Sequence, residues 1–471
     1  MDASRRRPHI DWNHTALVQG NAVRDYVRWD DQPYSVDAIP ESFARGHRIA
    51  LTNPQGPVYL CYDAALQEDP LDHEVALVDP ARAQPPSPLM GDPDTLAKVA
   101  DMLVRAEMPV IVTEYTGRTR AGFDALVDLA EMLGAAVVDL HERQNFPTSH
   151  PLSLWGSDVL RKADVVLSLD VSDLHGPLTT LDRVTRRTVP IMPAGCKLID
   201  IGFRDMRANG WSQDFQKFME LDLFLNADTS TTLPALGKLV QERVLGDQAL
   251  AQSVWRRRQD LHRLHDETLA RWAEEAKRDW DISPVSVPRL SMEIRDAVQG
   301  EDWVLCANPL RDTVYQYWQL ERWGQHTGGD LGTATQIGMN LGIALAHRGS
   351  GKLVFAIQTD GDLMFDVGAL WVAVHDHIPI LLVMYNNRSY YNDWEHQIKI
   401  AEARERDPNM AYLGMEIDKP APDFAAIAKG FGWYAEGPID QGRDIGPAIK
   451  RAIQRVKVGQ PALVDVVTQY R

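Results

Sequence analysis

The chain has 471 residues, is 44% hydrophobic and 24% charged, and carries a formal net charge of −17. The length suits two or three domains, and the composition is that of a globular protein with a sizeable core. The acidic balance argues against nucleic acid or an anionic membrane as the main partner, while leaving room for a local basic pocket that takes a phosphate.

Cys61, Cys196 and Cys306 are far apart, odd in number and without metal-ligand spacing. They read as buried thiols of a reducing compartment. No apolar run approaches membrane-spanning length. Arg5, Arg6 and Arg7 have no apolar stretch behind them, so no secretory signal is expected and the chain reads as cytoplasmic.

In chain order, residues 1–85 hold a predicted helix (39–51), a Gln55-Gly56-Pro57 turn and an apolar strand, 58–62. One helix and one strand cannot bury both strand faces alone, so this unit must pack on other domains or on another chain. A Pro-, Ala- and Asp-rich link, 80–93, marks a boundary. Residues 92–245 alternate strands (110–113, 136–139, 165–169, 198–201) with helices such as 123–133, which predicts a doubly wound α/β domain. Residues 246–284 read as a charged, Trp-punctuated helical connector. Residues 285–471 alternate strand and helix again, closing with a strand at 462–467.

The strongest signal lies in this last region. The apolar strand 353–358 runs into Thr359-Asp360-Gly361-Asp362. A helix with Val367, Leu370, Trp371 and Val374 on one face is expected next, then a strand, 380–385, ending at Asn386-Asn387. A right-handed βαβ unit puts both strands parallel, so Asp360 and Asn387 share the carboxyl edge of the sheet, where ligands of open α/β folds bind. One carboxylate, one amide oxygen and a nearby carbonyl suit magnesium, which takes few protein ligands and shares the rest with phosphates. Gly361 would let the backbone approach a phosphate.

This pattern resembles the thiamine diphosphate motif of the acetolactate synthase and pyruvate decarboxylase group, with Thr359 where the motif has its first glycine. The resemblance implies metal ligation by Asp360, Asn387 and the Ser389 carbonyl, with Gly361 and Asp362 beside the cofactor. Gly328-Gly329-Asp330-Leu331-Gly332, before a helix containing Ile337, Leu341 and Leu345, is similar to the segment that folds the cofactor. Leu331 would be its aliphatic wedge, and the Gly329 carbonyl would hold the 4′-amino group. Gly338 and Gly342 are expected to allow close packing of that helix. Asn308, after the strand 303–306, matches a diphosphate-binding position, and Asn392 is expected near the diphosphate. Tyr390, Asp393, His396 and His326 are candidates for proton handling or substrate contact. For the stretch around His396, ordinary capping of a polar helix terminus is the alternative. His375 and His377 read as structural.

The implied fold is α/β, with two doubly wound parallel-sheet domains (central and diphosphate-binding) and, at the N-terminus, the C-terminal remnant of a third, pyrimidine-binding domain. The central region has no Gly-x-Gly-x-x-Gly, which argues against a dinucleotide function. In the family, a glutamate early in the pyrimidine-binding domain activates the cofactor. No residue here matches it, and Glu41 lies on the closing helix. The resemblance therefore implies the large component of a thiamine diphosphate- and Mg2+-dependent 2-oxo acid decarboxylase or carboligase. A small partner subunit would complete the pyrimidine-binding domain, in a dimer or tetramer of such pairs. A 2-hydroxyacyl-CoA lyase is one alternative; a catalytically inactive cofactor-binding or regulatory homologue is another.

Overall fold

The computed structural model describes residues 16, 18–182, 184–206, 215, 217–310, 312–328 and 334–470. In the amino-terminal unit, β1 (Trp29–Asp31) pairs in parallel with β2 (Val58–Leu60), and α1 (Ala38–Leu51) joins them. Both strands are half-buried along their length. Sequence reasoning supplied only the second strand. Trp29-Asp30-Asp31 is short and two-thirds aspartate, and neither alternation nor β-propensity marks it.

The central region contains α2 (Pro93–Arg105), β3 (Pro109–Thr113), α3 (Arg120–Leu133), β4 (Ala136–Asp139) and β5 (Val165–Leu169). A hairpin of β6 (Thr179–Leu181) and β7 (Thr188–Pro190), then β8 (Lys197–Ile201), β9 (Leu223–Leu225) and α4 (Thr229–Gly246), complete it. The sheet order is β4-β3-β5-β8-β9, all parallel. Asp92, Thr119 and Asp228 start the three helices by accepting from Thr95, Gly122 and Ser230 amides. Next, α5 (Gln248–Ala276) buries Val254, Arg257, Leu261, His265, Thr268, Trp272 and Ala276, one stripe at helical spacing. Arg257 donates to the carbonyls of Ala106, at 2.8 Å, and Leu133. It thereby satisfies groups that α2 and α3 leave open at their ends.

The last region holds α6 (Val287–Val298), β10 (Trp303–Leu305), α7 (Gln336–Ala346), β11 (Leu353–Thr359), α8 (Asp360–Phe365) and α9 (Leu370–His375). It continues with β12 (Leu381–Asn386), α10 (Tyr391–Ala403), α11 (Phe424–Gly430), β13 (Tyr434–Ile439), α12 (Gly442–Lys457) and β14 (Ala462–Val467). The order is β10-β11-β12-β14-β13, again all parallel. Alternate residues feed two apolar layers. Phe355, Ile357, Val383 and Val464 meet α6 and α12, while Ala356, Leu382, Met384 and Leu463 meet α7, α9 and α11. Burial on both faces is why these strands read as near-continuous apolar runs.

Four expectations need correction. The helix after Gly361 is broken into α8, a 3-10 turn (Val367–Ala369) and α9, because Asp366 leaves the helical region at φ −142°. Leu370 and Ala373 are buried, but Trp371 is exposed and stacks on His375 at 4.3 Å. A Cβ at Gly338 or Gly342 would meet no atom within 4 Å, so neither glycine serves close packing among the described residues. Of the cysteines, only Cys306 is buried; Cys61 and Cys196 are half-buried. No helix of the described residues is long and apolar enough to cross a membrane.

Candidate cofactor and metal site

The site forms where β11 and β12 end side by side. Phe355 to Thr359 pair in register with Leu381 to Tyr385, which brings Asp360 and the 386–389 loop to one edge. Asn386 is the last strand residue. Its Oδ1 accepts the Arg388 N–H at 3.2 Å, capping a turn in which Arg388 takes φ 55°. That turn presents the Ser389 N–H inward. It donates to Asp360 Oδ2 at 3.2 Å and to Asn387 Oδ1 at 3.0 Å.

Asp360 is 1% exposed. Burial pushes its carboxyl up to about 7, against the opposing pull of N–H groups from Gly361, Ser389 and Arg388. A buried carboxylate at this edge gains from a cation that would offset its lost hydration. Ser389 Oγ is buried without a hydrogen-bond partner among the described residues. Ser389 bridges to Glu416 through flanking bonds, Tyr390 N–H to Met415 O and Ile417 N–H to Arg388 O, both 2.8 Å. That pattern turns the amide and carbonyl of Ser389 away from Glu416. Among the described residues there is no group of three or more His, Cys, Asp or Glu side chains suited to a metal. The oxygen set at this edge is of another kind: one carboxylate, one carboxamide and backbone. It fits a small hard cation that keeps phosphate ligands.

The Tyr390 ring lies over Gly361. A Cβ there would stand 2.6 and 2.8 Å from the ring carbons. The Tyr390 ring by itself thus requires glycine at this position. The negative charge of Asp360 helps to raise the Tyr390 hydroxyl, after burial, which is the larger cause. Asp362 does a supporting job. Its Oδ1 accepts the Ala334 N–H at 2.5 Å and its Oδ2 accepts Gln358 Nε2 at 3.1 Å. Gln358 also donates to Gln336 Oε1 at 3.0 Å and accepts from Asn340 at 3.2 Å. This buried network ties β11 to α7 and to Ala334 just before it. Gly329 and Leu331 lie outside the described residues.

Asn308 follows β10, is buried, and hydrogen-bonds the Tyr315 side chain. His326 is buried, with Nδ1 3.2 Å from Leu305 O and its ring 6.0 Å from that of Tyr315. It packs inside the fold rather than on an open wall. Asn392 and Asp393 are exposed on the first turn of α10, and His396 is half-buried one turn on. No described hydrogen bond brings these three to Asp360 or Asn387. The structure therefore assembles Asp360, Gly361, Asp362, Asn387, Ser389 and Tyr390, and leaves the α10 candidates apart.

Sequence reasoning missed the supporting roles of Gln336, Asn340, Gln358 and Asn386, and of Asp465, whose Oδ1 accepts from Asn386 Nδ2 at 2.9 Å. A signal existed. Gln358 and Asp465 are polar residues inside otherwise apolar strands, and both are fully buried.

An α/β sheet edge that joins one acid, one amide and a capped turn has the donor chemistry that a small hard cation sharing phosphate ligands would take. Residues 313–466 match the family described as thiamine pyrophosphate enzyme, C-terminal TPP binding domain. The chain is 22% identical over 397 residues to oxalyl-CoA decarboxylase of Escherichia coli, covering 80% of this chain and 64% of that protein. It is 23% identical over 473 residues to benzoylformate decarboxylase of Pseudomonas aeruginosa, covering 96% and 78%. The crystal structure of benzoylformate decarboxylase from Polynucleobacter necessarius shares its fold, with a TM-score of 0.70 at 17% identity over 99% of this chain and 81% of that one. The chain thus spans about two-thirds of the length of the oxalyl-CoA decarboxylase it matches.

Proposed function

We propose that the chain is the large component of a thiamine diphosphate- and magnesium-dependent enzyme that makes or breaks a carbon–carbon bond next to a carbonyl, a 2-oxo acid decarboxylase or carboligase. The observation that carries this is the shared Ser389 N–H, which draws Asp360 Oδ2 and Asn387 Oδ1 to one point. Asp360, Asn387 and the Ser389 carbonyl would hold the metal, and through it the diphosphate. Bound there, the cofactor supplies an electron sink for the charge left at a carbonyl carbon. The chain's own residues bind and orient. Asp362 and Gln358 steady the segment entering α7, and Tyr390 covers the approach to Asp360. Proton handling by Tyr390, Asp393, His396 or His326 belongs to this reading as well; Tyr390 has the best support, because its ring lies over Gly361, the neighbour of Asp360.

A small partner subunit supplying a glutamate to the cofactor is part of the proposal. Its support is the two-stranded β1–β2 sheet, half-buried on both strands, with Tyr34 and Phe43 exposed beside it. A two-stranded sheet is marginal by itself. Glu41 is exposed in the first turn of α1 and is no substitute. We read the assembly as cytoplasmic, in keeping with three free thiols. The test is turnover of a panel of 2-oxo acids by the purified chain with thiamine diphosphate and Mg2+. The expected result is cofactor binding with negligible turnover until a partner is added. Ordinary turnover by the chain alone contradicts the partner.

A second reading, a lyase acting on an acyl-CoA thioester, has one observation in its favour. A cavity of about 160 Å³ is lined by Tyr115, Arg118, Arg143, Asp170, Phe203 and Arg204, with Asn53 to Gln55 closing it. It lies outside the carboxyl ends of β3 and β5, where the strand order reverses. Its size and arginines suit a phosphate group of a carrier. Arg118 is neutralised by Asp170 at 2.5 Å and Asp228 at 3.0 Å, so Arg143 is the anion-binding candidate. Arg143→Ala raising the KM for a CoA thioester, with free 2-oxo acids unaffected, would favour this reading; equal effects on both would count against it.

A further inference from the structure

We propose that Asp465 is a positioning residue for the metal loop: it holds Asn386, and Asn386 in turn sets the turn that aims Ser389 at Asp360 and Asn387. The inference rests on the metal site proposed above and adds a residue from a different strand to it.

Asp465 stands in the middle of β14, Ala-Leu-Val-Asp-Val-Val, every residue of which is buried. A carboxylate there is costly unless it has a partner. The register pairs Met384 with Asp465 and Asn386 with Val467, so Asp465 and Asn386 lie on the same face of neighbouring strands. Asp465 Oδ1 accepts from Asn386 Nδ2 at 2.9 Å. The Asn386 carbonyl is pinned separately, by the Thr468 N–H at 2.9 Å. With its amide nitrogen committed to Asp465, Asn386 has one orientation left, and its Oδ1 faces the Arg388 N–H at 3.2 Å. Arg388 is then held at φ 55°, a region that non-glycine residues rarely occupy. The next amide in the chain is the one shared by Asp360 and Asn387.

The edge strand is shaped around the same carboxylate. A Cβ at Gly437 would stand 2.7 Å from the Asp465 Cβ and 2.6 Å from its carbonyl oxygen, and Gly437 takes φ 132°. Only glycine lets β13 pass there. Asp465 is therefore built into the sheet from both sides, and its one described hydrogen bond leads to the metal loop. Outer partners of this kind orient metal ligands and tune affinity.

The test is Mn2+ binding to the full chain in the presence of thiamine diphosphate, followed by the electron paramagnetic resonance of free Mn2+. Asp465→Ala removes the acceptor and is expected to weaken Mn2+ binding by about tenfold. Asp465→Asn keeps an acceptor oxygen in place and is expected to bind close to the unaltered chain. A merely structural role would lower the melting temperature of Asp465→Ala and leave the affinity of the folded protein unchanged, which overturns the proposal. Equal losses in the Asn and Ala variants overturn it too. If Asp465→Ala does not fold, the double variant Asn386→Leu, Asp465→Leu removes both polar partners at similar volume, a change that stability tolerates better. It must show the same loss of Mn2+, and wild-type affinity there overturns the proposal. An unaltered chain that binds no Mn2+ with the cofactor sinks the metal-site reading itself, a result distinct from any of these.

Discussion

Asp360 Oδ2 and Asn387 Oδ1 meet at one hydrogen-bond donor, the Ser389 N–H, at 3.2 and 3.0 Å. The two side chains come from the ends of adjacent parallel strands. A single amide between two oxygens keeps them close to each other before any ligand arrives, so the metal site proposed above would be pre-arranged.

The first consequence concerns pH. Burial raises the Asp360 carboxyl to about 7 when no cation is bound. A divalent ion competes with the proton for the carboxylate. Mn2+ affinity should therefore fall as pH drops through 7, by up to tenfold per pH unit well below it. The same shift has a sign for stability. The protonated form is favoured in the folded state, so the burial cost appears as pH rises from the unfolded value near 3.8 through 7. Asp360→Asn should raise the melting temperature of the metal-free chain at pH 8, by about 2–4 °C for each kcal/mol relieved. The variant should lose that advantage at pH 5. Thermal denaturation at both pH values checks this.

Gly361 answers to Tyr390. Gly361→Ala should cost about 1–3 kcal/mol, the usual range for overpacking, because the new Cβ would stand 2.6 Å from the ring. Adding Tyr390→Ala should recover much of that loss. Urea denaturation of the two single variants and the double variant measures the coupling.

Gln358→Leu should cost about 1–3 kcal/mol, the penalty for leaving a buried polar partner unsatisfied. Asn340 loses the acceptor it has now, and Asp362 a donor. Since Asp362 also holds Ala334, the variant should loosen the segment before α7. Hydrogen exchange there should accelerate relative to β14, and unchanged exchange would detach Gln358 from that role.

The readable and unreadable parts of the chain separate on physical grounds. The buried strands of both large sheets, 136–139 and 462–467 among them, stood out because two-sided burial writes a continuous apolar run. The Asp360–Asn387 pairing followed from βαβ handedness alone. Trp29–Asp31 stayed hidden because three residues carry no period. The break at Asp366 escaped because the apolar spacing that marked the helix, Val367, Leu370 and Val374, begins only after it, and spacing does not register a change of φ. The Gly361–Tyr390 contact and the Asp465–Asn386 bond depend on side chains that meet only in the folded sheet. Their trace in sequence was a polar residue in an apolar strand, legible only after the strand pairing is known.

The central claim is that Asp360 and Asn387 hold the cofactor through a divalent cation. Isothermal titration of thiamine diphosphate into the full chain, with Mg2+ and then with excess chelator, tests it most directly. The expected result is binding with Mg2+ that is lost on chelation, and an affinity at least about 100-fold weaker in Asp360→Ala and Asn387→Ala, the upper end of what outer partners alone cost. Thiamine diphosphate binding that survives chelation, or that the two variants leave unchanged, would contradict it.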